Sequence, residues 1–172
     1  MDFLADVESC IPSLRRYARA LLHHAADADD LVQDCLERAI GRRHLWLGGD
    51  TVRPWLFRIM RNIHANHARR LHGGPAFEPI EATEAEPADA EAQTAGVALR
   101  EMGTALARLP DEQRQVVLMV ALSGMSYRDC AAALDLPIGT VMSRLARGRE
   151  RLRRALEGEV VHRREPQLRR VK

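Results

Sequence analysis

A short helix, a turn and a strongly basic helix follow one another in the C-terminal part of the chain, and together they could bind DNA. Ser126 and Asp129 have the spacing of a capping box, in which a hydroxyl and an acid bond the free amides at the start of a helix. Asp135 can take the left-handed conformation of a turn at modest cost. Thr140 then begins a longer predicted helix, TVMSRLARGRERLRRAL. This order of elements is typical of a helix-turn-helix whose second helix lies in the major groove.

The side chains of this second helix have the chemistry that DNA recognition needs. Arg can bond guanine in a bidentate manner, and flanking arginines neutralise phosphates. For an arbitrary Arg-rich helix, a merely solvated surface is the better interpretation. Here the cap, the small residues, the turn and the basic helix occur together and in order, which favours DNA binding. The polar side of the helix consists of Ser143, Arg144, Arg147, Arg151 and Arg154.

Two stretches in the N-terminal part also carry polar faces. DADDLVQDCLERAI places acids on a predicted helix that begins at Asp27, whose carboxylate can cap it. Taken alone, these acids are best explained as solvating the helix and complementing its dipole. RPWLFRIMRNIHANHARR predicts a third helix with Pro54 in its first turn. The outward face of that helix consists of Arg58, Arg61, Asn62, Ala65, Asn66 and Arg69.

Helices must position these faces, because composition and periodicity both predict an all-α chain. The 172 residues are 46% hydrophobic but only 4% aromatic, which suits helical packing better than a sheet sandwich. Apolar residues recur at three- and four-residue steps, as on one side of a helix. The predicted inward positions of the first two helices are Leu4, Val7, Ile11, Leu14, Ala18, Leu21, Val32, Leu36 and Ile40.

Charge and periodicity divide the chain into two small helical domains joined by a flexible acidic linker. Residues 1–72 hold 11 basic and 9 acidic side chains, whereas residues 73–97 hold no basic side chain and 6 acidic ones. The linker is rich in Pro, Ala and Glu, so it buries too little apolar area to order itself. Residues 98–157 form the second domain, and 158–172 form a basic, frayed tail.

Several other functions find little support in the sequence. His64 and His67 are spaced to share a metal, but no third ligand is in view, so we expect no metal site and no cofactor. A small hydrolase that uses these histidines, or Asp29 with Asp30, lacks a phosphate loop or nucleophile elbow. We expect no signal peptide, and because no stretch approaches 18 apolar residues we also expect no membrane insertion. The three separated cysteines predict buried thiols in a reducing cytoplasm.

Three stretches resemble one bacterial family in its own order. The stretch from LPDEQRQVV to RERLRRAL is similar to region 4 of extracytoplasmic-function (ECF, group 4) sigma factors of the sigma-70 family, which are specificity subunits of RNA polymerase. DADDLVQDCLERAI resembles their region 2.2, and RPWLFRIMRNIHANHARR resembles their region 2.4. The resemblance covers most of residues 1–157. It implies an alternative sigma factor that directs transcription initiation and is not itself an enzyme.

For the C-terminal domain, the resemblance implies that the −35 element is read as duplex DNA. The residues implied to face the groove or the nearby backbone are Thr140, Met142, Ser143, Arg144, Ala146, Arg147 and Arg149. Met142 stands where the family usually has Lys or Arg, and Ala146 offers no hydrogen bond. Base reading is therefore expected to depend on Ser143 and Arg147, with apolar contact to a thymine methyl possible. Asp135 replaces the usual turn glycine.

For the N-terminal domain, the resemblance implies two binding faces. One captures the melted −10 strand by stacking and phosphate pairing. The matching residues are Arg58, Arg61, Asn62, Asn66, Arg69 and Arg70, with Arg42, Arg43, His44 and Trp46 as loop candidates. The other face docks on the clamp helices of the largest polymerase subunit. Its residues are Asp30, Gln33, Asp34 and Glu37. Trp55 is expected in the core, whereas Trp46 could lie in the core or stack on a base.

The partners implied by the resemblance are core RNA polymerase, promoter DNA and an anti-sigma factor, all in the bacterial cytoplasm. The C-terminal domain is expected to meet the flap region of the polymerase. Two interpretations of a different kind stay open. A simple repressor or activator would use only the helix-turn-helix and leave the N-terminal motifs unexplained. A helical adaptor would make protein contacts alone.

Overall fold

The computed structural model describes residues 2–22, 24–46, 48, 51–72 and 90–164, with side chains described for 2–22, 24–46, 48, 51–67 and 96–158. Within these ranges the fold is all-α and has no strand, as predicted. The helices are α1 (Phe3–Leu21), α2 (Ala25–Gly41), α3 (Arg53–His72), α4 (Ala90–Ala107), α5 (Asp111–Ser123), α6 (Tyr127–Leu134) and α7 (Ile138–Arg164), with a 3-10 turn at Arg43–Leu45.

Helices α1, α2 and α3 pack on one another as the N-terminal bundle. Its core includes Leu14, Leu56 and Ile63, none of which is exposed to solvent. Tyr17 and Phe57 meet edge to face, with their ring centroids 5.2 Å apart. Such a pair adds directional preference to burial, so it helps to fix how α1 crosses α3.

Three local expectations for this bundle are wrong. α2 begins at Ala25 rather than Asp27, and its N-cap His24 makes no side-chain bond, so Asp27 acts only as an acid in the first turn. Leu4 and Ile40 were predicted to face inward, but they are 53% and 48% exposed. Each lies near one end of its helix, where no neighbouring helix covers it.

Helices α5, α6 and α7 pack closely in the C-terminal half. Gly124 ends α5 in the left-handed conformation with a φ of 61°, which glycine adopts without steric cost. Gly148 lies where α7 crosses α5. A Cβ built on it would lie 2.8 Å from Cγ2 of Val117, so the two helices approach closely only because this position has no side chain.

The helices extend beyond two boundaries that the sequence indicated. α4 begins at Ala90, inside the stretch predicted as linker, and packs on α7. α7 runs to Arg164, whereas the predicted second domain ends at residue 157. Residues 73–89 of the predicted linker and 165–172 of the predicted tail lie outside the described residues.

The two halves pack directly against each other. α1 packs on α5, and α3 packs on α6. The buried apolar residues of both halves form one continuous cluster, from Val7 in α1 to Leu145 in α7. The sequence predicted two domains and a tether but not this contact between them.

All three cysteines are free and buried, as expected. Burial raises the pKa of the Cys35 thiol to about 12, and Cys35 donates a hydrogen bond to the carbonyl of Leu56. Burial likewise raises the pKa of the Cys130 thiol to about 11. These two thiols are therefore protonated near neutral pH, and protonated thiols are poor nucleophiles.

In the described part of the chain, no three metal-ligating side chains cluster together. No helix within the described ranges is both long enough and apolar enough to cross a membrane.

Candidate functional site

The helix-turn-helix is built by local bonds that the sequence largely anticipated. The hydroxyl of Ser126 accepts a hydrogen bond from the amide of Asp129 at 3.1 Å, which caps α6. Asp135 adopts the left-handed conformation with a φ of 56° and ends α6. α7 begins at Ile138, two residues before the predicted Thr140, because the carbonyl of Pro137 already accepts the amides of Thr140 and Val141.

The outward side of the α7 start carries the residues predicted to read DNA. Met142, Ala146, Arg147 and Arg149 are exposed, whereas Thr140, Ser143 and Arg144 are partly exposed. Val141 and Leu145 lie on the opposite side and are buried. α7 therefore presents one continuous outward face, and its apolar anchors hold that face at a fixed orientation on the rest of the half.

Two of these side chains have partners within the protein. A guanidinium nitrogen of Arg144 lies 2.8 Å from a carboxylate oxygen of Glu112 in α5, so this arginine is held beside the face. The hydroxyl of Ser143 donates to the carbonyl of Thr140 at 3.0 Å. That bond leaves the lone pairs of the Ser143 oxygen available as acceptors.

A shallow groove beside the face includes a residue that sequence reasoning missed. Tyr127, at the start of α6, lines it together with Met142, Leu145, Ala146 and Arg149. The signal in the sequence that could have indicated this residue is an aromatic residue directly after the N-cap Ser126. The groove is mainly apolar, which agrees with the expectation that Met142 and Ala146 offer apolar contact rather than hydrogen bonds.

The predicted basic face of α3 is directed toward the C-terminal half. Arg58 donates a hydrogen bond to the carbonyl of Ala132, and Arg61 donates to that of Leu134 at 2.8 Å. A second nitrogen of Arg61 donates to the side-chain oxygen of Asn62 at 3.4 Å. Two of the predicted strand-binding arginines thus contact the backbone of α6.

The remaining predicted −10 residues are spread along α3 and the preceding turn. Asn66 is partly exposed, while the side chains of Arg69 and Arg70 lie outside the described residues. Trp46 packs against Phe3 of α1, with ring centroids 5.3 Å apart, and is partly buried on the core. Trp55, which was expected in the core, is also partly buried and lies near Phe3.

The predicted acidic face of α2 lies on the surface. Asp30, Gln33 and Glu37 are exposed, and Gln33 donates to a carboxylate oxygen of Glu37 at 3.1 Å. The carboxylate of Asp34 is 3.9 Å from the imidazole of His67. The exposed Ile40 continues this face one turn further, so it adds an apolar contact that the sequence interpretation had placed in the core.

Two further arginines of the N-terminal half reach the C-terminal half, and sequence reasoning missed both. Arg16 in α1 donates to the carbonyl of Leu122 at 3.0 Å. Arg53 at the start of α3 donates to that of Ser123 at 3.0 Å. Nothing in the sequence marks them, because an arginine that bonds a distant backbone carbonyl has no local signature.

A polar group lies at the boundary between the halves. In α5, a guanidinium nitrogen of Arg114 lies 2.8 Å from a carboxylate oxygen of Asp111. The charges of this ion pair also affect the pKa values of Tyr17 and His64 in the other half. Burial raises the pKa of Tyr17 well above its usual range and lowers that of His64. Both side chains are therefore held in their neutral forms at pH 7.

Comparison with known proteins finds a similar family in each half. Residues 7–61 match the family described as the Sigma2 domain of PhyR. Residues 99–152 match the family described as Sigma-70, region 4. These matches follow the order in which the two halves occur along the chain.

Similar proteins cover most of the chain. It is 35% identical over 148 residues to the ECF RNA polymerase sigma factor EcfG of Rhodopseudomonas palustris, covering 86% of this chain and 81% of that protein. The structure of the Bartonella quintana sigma factor RpoE with the anti-sigma factor NepR matches with a TM-score of 0.68 and 29% identity, over 91% of this chain and 97% of that one. The structure of CnrH with the cytosolic domain of CnrY matches with a TM-score of 0.57 and 27% identity, over 85% of this chain and 81% of that one.

Proposed function

The chain belongs to the ECF RNA polymerase sigma factors, and from that membership we propose a role for each of its faces. As an alternative sigma factor it directs transcription initiation by RNA polymerase. The observation that carries this function is the presence of both sigma-type halves in one chain, at 35% identity over most of an ECF sigma factor. A repressor that used the helix-turn-helix alone would not need the N-terminal half to match.

We propose that the outward face of α7 reads the −35 element as duplex DNA. Arg147 is exposed and free to form a bidentate contact with guanine, and Ser143 is close enough along the helix to serve the neighbouring base. Met142 and Ala146 favour apolar contact with thymine methyl groups. Thr140, Arg144 and Arg149 flank these positions and suit phosphate contacts, which set affinity more than sequence preference.

The polar face of α3 is proposed to hold the melted −10 strand. Arg58 and Arg61 offer guanidinium groups for phosphates, and Asn62 and Asn66 offer amides for base edges. Arg69 and Arg70 extend the same face by sequence, and Trp46 is a candidate for stacking at its edge. The chain supplies binding here and no bond-making chemistry, so RNA synthesis belongs to the polymerase.

The acidic face of α2 is proposed to dock on the clamp helices of the largest polymerase subunit. Asp30, Gln33, Asp34 and Glu37 are accessible there, and Ile40 adds an apolar contact to the charged ones. Charged rims with an apolar contact are typical of specific protein interfaces. The C-terminal half is proposed to meet the flap region of the same polymerase.

An anti-sigma factor is proposed as the regulatory partner, in the cytoplasm where the polymerase acts. The two solved structures compared above are described as complexes, one with the anti-sigma factor NepR and one with the cytosolic domain of CnrY. Matches over 91% and 85% of this chain include both halves. The shared fold supports a partner of the same kind for this protein.

Transcription in vitro with purified core polymerase tests the proposed function. Promoters from the genome that encodes the protein are transcribed with and without it. We expect start sites that appear only with the protein and share two spaced upstream elements. Folded protein that yields no such starts, yet binds specific duplex DNA without polymerase, would instead indicate a repressor or activator.

A further inference from the structure

The outward face of α7 has two stripes of different chemistry, and a groove follows one of them. Ser143 and Arg147 form the polar stripe, because residues four apart lie on the same side of a helix. Met142 and Ala146 form the apolar stripe and line the groove together with Tyr127 of α6. We propose that this groove holds the C5-methyl group of one thymine in the −35 duplex, and that Tyr127 determines the preference for that base. The inference rests on the proposed function, because it takes α7 as the element that reads duplex DNA.

The packing of α6 on α7 builds the groove. Leu145 is only 3% exposed and forms its floor. Tyr127 and Met142 are 37% and 51% exposed and form its rim. Ala146 leaves open space between Met142 and Arg149, because its side chain is a single methyl group. The result is an apolar surface that is accessible from the side on which DNA is proposed to bind.

Local bonds at the start of α6 fix the position of Tyr127, which is the first residue of that helix. The hydroxyl of Ser126 accepts the amide of Asp129 at 3.1 Å, and the carbonyl of Ser126 accepts the amide of the buried Cys130 at 2.9 Å. An aromatic side chain has only two rotatable bonds, so it is ordered at low entropic cost. The ring of Tyr127 is therefore presented beside α7 as a largely preformed surface.

The chemistry of the groove matches one group on the edges of the base pairs. In the major groove, base pairs present hydrogen-bond donors, hydrogen-bond acceptors and the C5-methyl group of thymine. Leu145 and Ala146 offer no hydrogen bond, and the thioether of Met142 is only a weak acceptor. The unbranched Met142 side chain can also adapt its shape to a small apolar group. Among the groups that distinguish the bases, the methyl group is the one that this surface can bind.

The size and charge of the groove favour DNA over a small ligand. Its volume is about 130 Å³, whereas sites for small molecules usually enclose about 300–1,000 Å³. None of its lining residues is acidic, Arg149 lies at its edge and Arg147 is exposed beside it. DNA phosphates supply the negative charge that complements these arginines. A duplex can therefore place its backbone near the arginines and one methyl group in the groove.

The decisive experiment removes that methyl group from the DNA. The protein is bound to core polymerase, and the probes are promoter duplexes that the transcription assay identifies. Each thymine on either strand of the −35 element is replaced in turn by deoxyuridine, which keeps the base pair and the O4 acceptor. We expect one replacement to weaken binding about fourfold, the effect of one buried methyl group. With cytosine at that position, changing it to 5-methylcytosine should tighten binding by a similar factor.

Variants of the protein test whether the groove causes this preference. The readout is the ratio of the affinities for the thymine duplex and the uracil duplex at that position. Tyr127→Ala and Met142→Ala should each bring the ratio close to one, whereas Tyr127→Phe keeps the ring and should preserve it. Ile138→Ala shortens another apolar side chain of α7, which is 50% exposed and does not line the groove, and should also preserve it. Circular dichroism checks that each variant is folded.

Three outcomes would overturn the inference while leaving the sigma function intact. A −35 element without any A·T pair, or a ratio of one at every thymine, would mean that no methyl group is read. A full ratio in Tyr127→Ala would remove Tyr127 from the site. Loss of the ratio in Tyr127→Phe would assign its effect to the hydroxyl rather than to the ring. Absence of protein-dependent start sites would instead overturn the proposed function and this inference with it, so the two failures are distinguishable.

Discussion

The two halves of the molecule present their basic faces in different ways. In the C-terminal half, the start of α7 directs Arg147 and Met142 outward. In the N-terminal half, Arg58 and Arg61 of α3 bond the carbonyls of Ala132 and Leu134. Equal exposure would have followed from two independent domains. The difference shows that the arrangement of the halves, as well as their residue types, decides which surface is available.

The largest expected effect comes from disrupting the packing of α7 on α5 in the C-terminal half. Gly148→Val places atoms where Val117 already packs, so we expect the half to lose about 3 kcal/mol of unfolding free energy. Gly139→Ala, in the same helix with nothing within 4 Å, should change stability by less than about 1 kcal/mol. Urea titration followed by circular dichroism measures both.

Tryptophan fluorescence sharpens this test because Trp46 and Trp55 both lie in the N-terminal half. Gly148→Val should shift the transition seen by circular dichroism more than the transition seen by fluorescence. Equal shifts would show that the halves unfold as one unit, and equal effects of the two glycine variants would contradict the close approach of α7 to α5.

The second effect concerns the free acidic face of the N-terminal half. Asp34→Arg should weaken capture of core polymerase by about 2 kcal/mol, roughly thirtyfold, because it places a positive charge within the proposed acidic docking face. Native gel titration against core polymerase measures the loss. Glu8→Arg makes the same charge change at an exposed position of α1 and should leave capture unchanged. If Asp34→Arg captures core polymerase as well as the wild type does, the acids have no docking role and only form a solvated surface.

The third effect tests the free face of the C-terminal half. Arg147→Ala should cost about 1 to 3 kcal/mol in −35 binding and relax the preference at one base pair, provided that it makes a bidentate base contact. Arg151→Ala, exposed one turn further along α7, should weaken binding alike for every sequence. Competition binding with single-base variants of the −35 duplex distinguishes the two. Unchanged affinity and preference would remove Arg147 from the reading face.

The smallest effect lies at the boundary between the halves. Burial lowers the pKa of His64. The charges of Arg114 and His67 lower this pKa further, whereas the charge of Asp111 raises it. Below pH 6.5 the unfolded chain therefore binds more protons than the folded one, and stability falls as pH falls. His64→Gln should reduce the difference in unfolding free energy between pH 7.5 and pH 5.5. An equal pH dependence of unfolding free energy in wild type and in His64→Gln would contradict the assignment.

The parts of the fold that depend on neighbouring residues were predictable from the sequence. The Ser126 cap, the Gly124 end of α5 and the left-handed Asp135 are determined within a few residues, and the structure has all three. Exposure at Leu4 and Ile40 was not predictable, because helical spacing indicates a face without saying whether another helix covers its ends.

Contacts between distant parts of the chain were not predictable in the same way. Arg16 and Arg53 look like ordinary surface arginines, since their acceptors are backbone carbonyls that every residue possesses. The residues proposed for the −35 face and for the acidic face were chosen from periodicity and from the family resemblance. The engagement of Arg58 and Arg61 needed the packing of the two halves, which no pattern in the sequence records.

The burial of the three cysteines has a practical consequence for observing the two halves move. A maleimide dye reacts with accessible thiolates, and the native cysteines are all enclosed, with Cys35 and Cys130 also held in the protonated form. A single cysteine introduced on each half could then be labelled without removing the native ones. The protein is thus suited to single-molecule distance measurements on an otherwise unaltered core.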